Sequence, residues 1–162
     1  MLSQKTRYAL KALLELALAP AGTMLSSAAI SARRRIPVKF LEAILVELKR
    51  DGLVRGQRGR GGGYQLALPP NEISFGAVVR LIEGPLALLP CVSVSRYHRC
   101  EDCVDHRSCE LQKLFREVRD STAAILDGWT LTDALSGKGR EEPSVGASPA
   151  KKTPRRPAMK RP

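Results

Sequence analysis

The stretch IPVKFLEAILVELKRDGLVRGQRGRGGGYQLAL, residues 36–68, decides the fold of this 162-residue chain. Its first half predicts an amphipathic α-helix, because its apolar residues recur at the spacing of one helix face. Pro37 suits the first turn of that helix, and Gly52 follows its last turn, where helices often end in a left-handed residue. The apolar stripe of the helix consists of Phe40, Leu41, Ile44, Leu45 and Leu48.

The second half of the stretch predicts a β-hairpin. Two strand-like pieces, Leu53–Arg55 and Tyr64–Ala67, flank a loop rich in glycine and arginine. The dipeptide Pro69-Pro70 stops the second strand, because proline cannot donate to a sheet ladder. The loop is therefore expected to be a flexible tip that carries positive charge.

Helical patterns lie on both sides of this stretch. Ser26 or Ser27 is expected to cap a second helix that runs through about Arg33. Ser74 is expected to cap a fourth helix, which Gly84-Pro85 terminate. The first helix covers residues 4–18 and turns Tyr8, Leu10, Leu13, Leu14 and Ala17 towards the core.

A longer helix is predicted over about Cys109–Leu126. Its apolar face has no equally long partner helix within the chain, so a second copy of the protein is expected to cover it. That face consists of Leu111, Leu114, Phe115, Val118, Ile125 and Leu126.

The order of these elements predicts the fold class and the organisation of the chain. Two helices, a third helix and a hairpin describe a winged helix-turn-helix. We therefore predict a mainly α fold with a small β-hairpin wing and a long C-terminal dimerisation helix. The expected parts are a DNA-binding domain (1–85), a cysteine-rich loop with the dimerisation helix (86–136) and a disordered basic tail (137–162).

The charge of the chain favours a polyanionic partner, either nucleic acid or an acidic membrane surface. The net charge is +11, of which the tail supplies +6 and residues 1–136 supply +5. No apolar run approaches the roughly 18 residues of a membrane span. Lys11 and Glu15 interrupt the apolar stretch near the N-terminus, unlike the core of a signal peptide. We expect a cytoplasmic protein that does not enter a membrane.

The predicted third helix and hairpin suit double-stranded DNA. A helix fits the major groove, and the hairpin tip can reach phosphates or the minor groove beside it. Glycines at 59 and 61–63 favour close approach to a nucleic-acid backbone. The alternatives are a passive basic face and an RNA-binding Arg-Gly segment. The cations around the third helix are Arg33, Arg34, Arg35, Lys49, Arg50, Arg55, Arg58 and Arg60.

All four cysteines fall within residues 91–109, CVSVSRYHRCEDCVDHRSC. The spacing C-x8-C-x2-C-x5-C offers Cys91, Cys100, Cys103 and Cys109 as an all-thiolate site for an iron–sulfur cluster or for zinc. A reducing cytoplasm favours such a site over a structural disulfide.

Other residues of the segment could assist this site. Arg96, Arg99 and Arg107 could offset the negative charge of four thiolates, and His98 or His106 could replace one cysteine as a ligand. The alternatives to a metal are a regulatory disulfide between Cys100 and Cys103 and inert reduced thiols.

Four segments of the chain resemble the Rrf-type winged helix-turn-helix regulators, the bacterial family of IscR, NsrR and CymR. They are TRYALKALLELA, IPVKFLEAILVELKRDGLV, RGRGGGYQLALPPNEISFGAVVRLIEG and ILDGWTLTDAL. The resemblance covers residues 1–136 and is most specific at 58–66. It implies a dimeric transcription factor that acts as a repressor and whose long helix crosses its mate. It places Lys39, Phe40, Glu42 and Ala43 towards bases and Arg58, Arg60, Gly61 and Gly62 in the wing.

The resemblance also implies a sensing site. Several family members hold an iron–sulfur cluster just before the long helix, whereas CymR-like members hold none. Cluster-binding members typically use three cysteines at more even spacing, and the Cys100–Cys103 pair departs from that pattern. We predict a regulator whose DNA affinity depends on the cysteine site, with an iron–sulfur cluster as its cofactor. The alternative is a zinc-stabilised or thiol–disulfide-switched DNA-binding protein without a cluster.

Enzymatic activity is not expected. Glu42 and Glu47 point roughly 140° from one another on the third helix and cannot act as an acid/base pair. A thioredoxin-like enzyme would need a βαβ context around the CxxC pair, and the sequence predicts none.

Overall fold

Six α-helices and one two-stranded hairpin make up the part of the chain that a computed structural model describes, residues 2–105 and 108–137. The predicted basic tail lies outside these residues, apart from Gly137. Short 3₁₀ turns precede α4 and lie within the cysteine segment, at Pro70–Glu72 and Pro90–Val92. The elements are α1 (Gln4–Leu18), α2 (Ser27–Arg34), α3 (Val38–Arg50), β1 (Val54–Gln57), β2 (Gly63–Leu66), α4 (Phe75–Glu83), α5 (Glu110–Asp127) and α6 (Leu131–Leu135).

Serine side chains start two of the helices at predicted positions. The Ser26 hydroxyl accepts a hydrogen bond from the backbone N–H of Ala29 at 3.1 Å, so Ser26 rather than Ser27 caps α2. The Ser74 hydroxyl caps α4 in the same way. Pro37 immediately precedes the first helical residue of α3 rather than lying within its first turn as predicted, and no side chain caps that helix.

The hydrophobic core is formed by α1–α4, with contributions from β1 and α6. Four of the five predicted apolar residues of α3 are buried in it. Phe40 is different: it is 43% exposed, and its ring meets the ring of Tyr8 edge-on with centroids 5.7 Å apart. The wholly buried large side chains of the core include Leu13, Ile30, Leu41, Leu45, Leu48 and Ile73.

The hairpin is antiparallel and is attached to the body of the fold through β2. Val54 pairs with Leu66 and Gln57 with Gly63, so β1 continues two residues beyond the predicted strand. On the other side of β2, Leu25 exchanges two backbone hydrogen bonds with Tyr64, at 2.9 and 2.8 Å. This bridge connects the wing to the loop between α1 and α2. The bridge lies at the loop end of the hairpin, because Tyr64 is one residue from the start of β2 and pairs with Gly56, and it therefore fixes β2 close to the wing loop.

The short helix α6 was not predicted from the sequence pattern. Thr130 and Asp133 form a capping box at its start, and Leu131 is wholly buried in the same core as α1–α4. The backbone N–H of Phe75 donates to the carbonyl of Trp129 at 2.9 Å, and that of Leu131 donates to the carbonyl of Ile73 at 3.0 Å. These bonds bring the chain after α5 back to the start of α4. The mainly α winged-helix fold is confirmed.

The end of α5 lies close to α4. A Cβ atom at Gly76 would meet the Asp127 carboxylate at 1.9 Å, so only glycine permits this approach. Among the described residues, no helix combines the length and apolar character needed to cross a bilayer.

Candidate DNA-binding surface and cysteine site

The outer face of α3 points away from the core. Lys39, Phe40, Glu42 and Ala43, the four residues predicted to face bases, are all exposed. Successive helical residues are rotated by about 100°, so Lys39 and Ala43 share the centre of this face, with Phe40 and Glu42 on its two flanks. Val46, which is 63% exposed, lies on the same central line and was missed in the sequence because its position continues an apolar run.

Glu42 is held at the edge of this face. The Ser27 hydroxyl of α2 donates a hydrogen bond to Glu42 Oε1 at 3.1 Å. The carboxylate is therefore directed towards α2, which removes part of its freedom to repel a phosphate or to accept from a base.

The tip of the wing has a conformation that requires glycine. The backbone N–H of Gly62 donates to the carbonyl of Gly59 at 2.9 Å, and Gly61 has a φ of 81° in the left-handed region. A Cβ atom at Gly62 would lie 2.3 Å from the carbonyl oxygen of Gln57. Arg58 and Arg60 are exposed and make no ion pair with any described residue. Their charges are free for an external anion.

Two of the three arginines before α3 are already engaged. Arg33 Nη1 and Arg34 Nε donate to the two carboxylate oxygens of Glu15 at 3.0 and 2.6 Å. Burial alone would raise the pKa of Glu15, but the hydrogen bonds and charges of the two guanidinium groups outweigh it and hold that pKa below 4.5. Of the three predicted cations at 33–35, two therefore share one carboxylate inside the fold. Arg35, in a left-handed conformation with a φ of 54°, is exposed and has no ion-pair partner in the described chain.

The four cysteines all line one cavity of about 440 Å³. Cys91 lies in the 3₁₀ turn Pro90–Val92 and is buried, whereas Cys100, Cys103 and Cys109 are half-buried. Cys109 immediately precedes α5. The fold thus brings the whole predicted ligand set around one space at the start of the long helix.

The four cysteines, all within the described part of the chain, form no disulfide and are not assembled into a metal-ligand geometry. Burial, a hydrogen bond with Cys100 and the neighbouring charges of Cys100 and Cys109 raise the pKa of the Cys91 thiol. Within residues 2–105 and 108–137, no group of three or more His, Cys, Asp or Glu side chains is placed to hold a metal ion. Four thiols that share one cavity suit a thiophilic metal. Binding of such a metal requires their side chains to converge.

Backbone contacts position the cysteine segment. Arg99 donates to the carbonyls of Cys103 and Val104 at 2.9 and 2.8 Å, so it clamps the turn after the CxxC pair. Arg119 of α5 donates to the carbonyl of Val92, the residue after Cys91. His98 is exposed and does not line the cavity, while His106 and Arg107 lie outside the described residues.

One face of α5 is apolar and uncovered. Leu111, Leu114 and Ile125 are each more than half exposed, and Val118 between them is also exposed. The opposite edge of the helix, which includes the buried Gln112, packs on the rest of the chain. Exposed leucines at helical spacing are typical of a surface that a partner covers.

The order of helices, the wing and the exposed outer face of α3 define a winged helix-turn-helix protein. The comparison with known families then gives the particular class. The chain belongs to the Rrf2 family, because the model of that family, described as an iron-dependent transcriptional regulator, matches residues 2–137.

Individual relatives agree with this assignment. The chain is 44% identical over 139 residues to an rrf2-like HTH-type transcriptional regulator of Rhodobacter capsulatus, with 84% of this chain and 93% of the relative covered. It is 33% identical over 134 residues to the regulator IscR of Aliivibrio salmonicida, covering 83% of this chain and 76% of IscR. The structure of CymR, the global cysteine regulator of B. subtilis, is similar with a TM-score of 0.69 at 29% identity, covering 84% of this chain and 96% of CymR. The relatives are transcriptional regulators, which confirms that the chain is not an enzyme.

Proposed function

We propose that this protein is a sequence-specific repressor that binds double-stranded DNA through α3 and the wing. The observation that carries the proposal is the joint exposure of the outer face of α3 and of three unpaired cations, Lys39, Arg58 and Arg60. The positive charges would contact phosphates, and α3 would lie in the major groove. A cytoplasmic location is part of the proposal, because it suits a DNA-binding regulator of this family.

The proposed DNA-binding form is a homodimer. The apolar face of α5 exposes leucine and isoleucine side chains that a second α5 would bury. A two-fold dimer presents two copies of α3, so the operator is expected to be palindromic, with half-sites roughly 34–36 Å apart.

The first experiment on DNA is selection from a library of random duplexes with the full-length chain. The expected result is one palindromic sequence. The variants Arg58→Ala and Arg60→Ala should bind it more weakly, and each should reduce the salt slope of binding by about 0.9. Arg116→Ala is the matched control, because Arg116 is an exposed arginine of α5, outside α3 and the wing. Binding without any sequence preference would contradict the proposal.

The cysteine site is proposed to regulate this binding through an iron–sulfur cluster held by Cys91, Cys100, Cys103 and Cys109. Support comes from the shared cavity of the four thiols and from the iron-dependent description of the family. When bound, a cluster would supply a redox- and iron-sensitive state. Because Arg119 joins the Cys91–Val92 turn to α5, a rearranged cysteine segment would shift α5 and the spacing of the two α3 helices.

The test of the cofactor is anaerobic purification followed by a visible spectrum and analysis of iron, sulfide and zinc. Brown protein with acid-labile sulfide, whose colour is lost on single Cys→Ala changes, is the expected result. A Ser93→Ala change in the same segment is the control for general disturbance of the loop.

The second candidate is a DNA-binding protein switched by its thiols or stabilised by zinc. The shared cavity supports it, since Cys100 and Cys103, the predicted disulfide pair, both line it and are both half-buried. Colourless protein with about one zinc per chain would indicate a structural site. Colourless, metal-free protein whose DNA affinity changes reversibly with oxidant and dithiothreitol would indicate the thiol switch.

A further inference from the structure

The middle of the outer face of α3 is apolar and lies between two cations. One line along the helix, at positions i, i+4, i+7 and i+11, holds Lys39, Ala43, Val46 and Arg50. Val46 is 63% exposed, and Ala43 beside it is also exposed. The exposed apolar residues of α5 have a second copy of the chain as their proposed partner. Val46 lies on a different surface and needs another explanation.

We propose that Val46, together with Ala43, determines specificity by contacting the C5-methyl groups of thymines in the major groove. The inference rests on the proposed function, because it requires α3 to enter that groove. The thymine methyl is the apolar group that base pairs present on their major-groove edge, and apolar side chains read it by contact.

The charges around Val46 indicate that DNA covers this face. Lys39 lies on the same line towards the start of α3 and is exposed without an ion-pair partner among the described residues. Arg50, at the other end of the line, is 72% exposed, although Asp51 engages it at 3.3 Å. The wing adds the unpaired Arg58 and Arg60. Apolar contacts between flanking cations complement a groove whose floor carries methyl groups and whose walls carry phosphates.

The spacing of the two side chains suits neighbouring base pairs. Ala43 and Val46 are three residues apart, a rise of about 4.5 Å along the helix. Successive base pairs are stacked about 3.4 Å apart. We therefore expect each half-site to contain two thymines on adjacent base pairs beneath α3.

The test replaces thymines by deoxyuridine in the duplex that the wild-type chain selects. This change removes one methyl group and leaves every hydrogen-bonding atom in place. At the thymine beneath Val46, wild-type affinity should fall by about fourfold, the value of one buried methyl or methylene group. Val46→Ala should bind the thymine duplex more weakly and should lose most of the response to deoxyuridine. Val46→Thr, which keeps one methyl and the shape of the side chain, should retain part of it.

Two controls separate this contact from a general loss of affinity. Val94→Ala deletes the same two methyl groups at a position that is 83% exposed in the cysteine segment, and it should keep the full deoxyuridine response. Deoxyuridine outside the half-sites should have no effect on the wild type. The inference is overturned if no thymine in the half-sites responds, or if Val46→Ala responds as strongly as the wild type. If the wild-type chain selects no sequence at all, the proposed function fails and this inference fails with it.

Discussion

Arg80 of α4 and Asp127 at the end of α5 form a bidentate ion pair, with Nη1 2.6 Å from Oδ1 and Nη2 2.8 Å from Oδ2. The pair lies beside Gly76, whose missing side chain lets the Asp127 carboxylate approach α4. Helix α5 is thereby connected to α4 by a contact of fixed geometry.

Breaking this ion pair should lower the free energy of unfolding only slightly, and the size of that effect should depend on pH. Arg80 and Asp127 are 41% and 46% exposed, so a double-mutant cycle of Arg80→Gln and Asp127→Asn should give a coupling of about 1 kcal/mol. The hydrogen bonds from Arg80 hold the pKa of Asp127 below 3.8, so the coupling should be complete above that pH and should fade as the pH falls through the lowered value. Urea unfolding at several pH values measures it. The exposed Arg50–Asp51 pair is the control and should give almost no coupling.

Replacing Glu15 should destabilise the fold more than replacing an exposed glutamate. The carboxylate is buried and joins α1 to Arg33 and Arg34, so Glu15→Gln should lower the free energy of unfolding by about 1–3 kcal/mol. Because the folded-state pKa of Glu15 is lowered, the deficit of the variant should shrink as the pH drops below 4.5 and the wild type also becomes protonated. Glu72→Gln, at an exposed position, should stay within about 0.5 kcal/mol of the wild type.

The arginines at 33 and 35 should contribute unequally to DNA binding. Arg35→Asn, which suits a left-handed conformation, should reduce the salt slope by about 0.9, because Arg35 is free to neutralise a phosphate. Arg33→Gln should change the slope less, because the Arg33 guanidinium is held by the Glu15 carboxylate, whose charge it shares with Arg34. Titrations of the selected duplex at several salt concentrations give both slopes. Equal reductions would show that Glu15 does not restrain Arg33 at the DNA.

A charge on the apolar face of α5 should separate the proposed dimer. Leu114 is 54% exposed in the single chain and lies within that face, so Leu114→Glu should produce folded monomers by sedimentation equilibrium. Lys113→Glu is the matched control, because residue 113 points about 100° away on the same helix. A Leu114→Glu protein that remains dimeric would place the interface elsewhere.

Alkylation should distinguish Cys91 from the other thiols in reduced, metal-free protein. Cys91 is 6% exposed and burial raises its pKa, so iodoacetamide should modify it last at pH 8. Cys100, Cys103 and Cys109 are half-buried and should react earlier. Mass spectrometry of peptides at timed intervals gives the order, and urea should abolish it. Early modification of Cys91 in native protein would show that the Pro90–Val92 turn opens readily.

Periodic and capped elements were predictable from the sequence. The stripe of α3, the glycine-rich wing and the serine caps of α2 and α4 depend on local spacing, and the structure places them within about two residues of prediction. Phe40 lies at the edge of the predicted stripe, is 43% exposed and is covered in part by the ring of Tyr8. That partial cover comes from another helix, which spacing within α3 does not reveal.

Contacts between distant segments were not predictable. The pairing of Glu15 with two arginines joins residues 18 and 19 positions apart and depends on how α1 crosses α2. Helix α6 is five residues long, too short to show a helical period, and its position depends on hydrogen bonds to the start of α4. Which side chains hold a metal, form a cysteine pair or contact DNA stays a prediction. The metal and the DNA are groups outside the chain, and a cysteine pair depends on its oxidation state.

The burial of Leu131 has a consequence for the cooperativity of the whole molecule. This leucine comes from the C-terminal end of the described chain, yet it fills the core that α1 and the start of α4 build. A fragment ending at residue 85 would lack it and leave a leucine-sized void, a loss of about 2–5 kcal/mol from a small domain. The part that would bind DNA and the part that carries the cysteines should therefore melt in a single calorimetric transition, and the first should not survive excision as an independent folding unit.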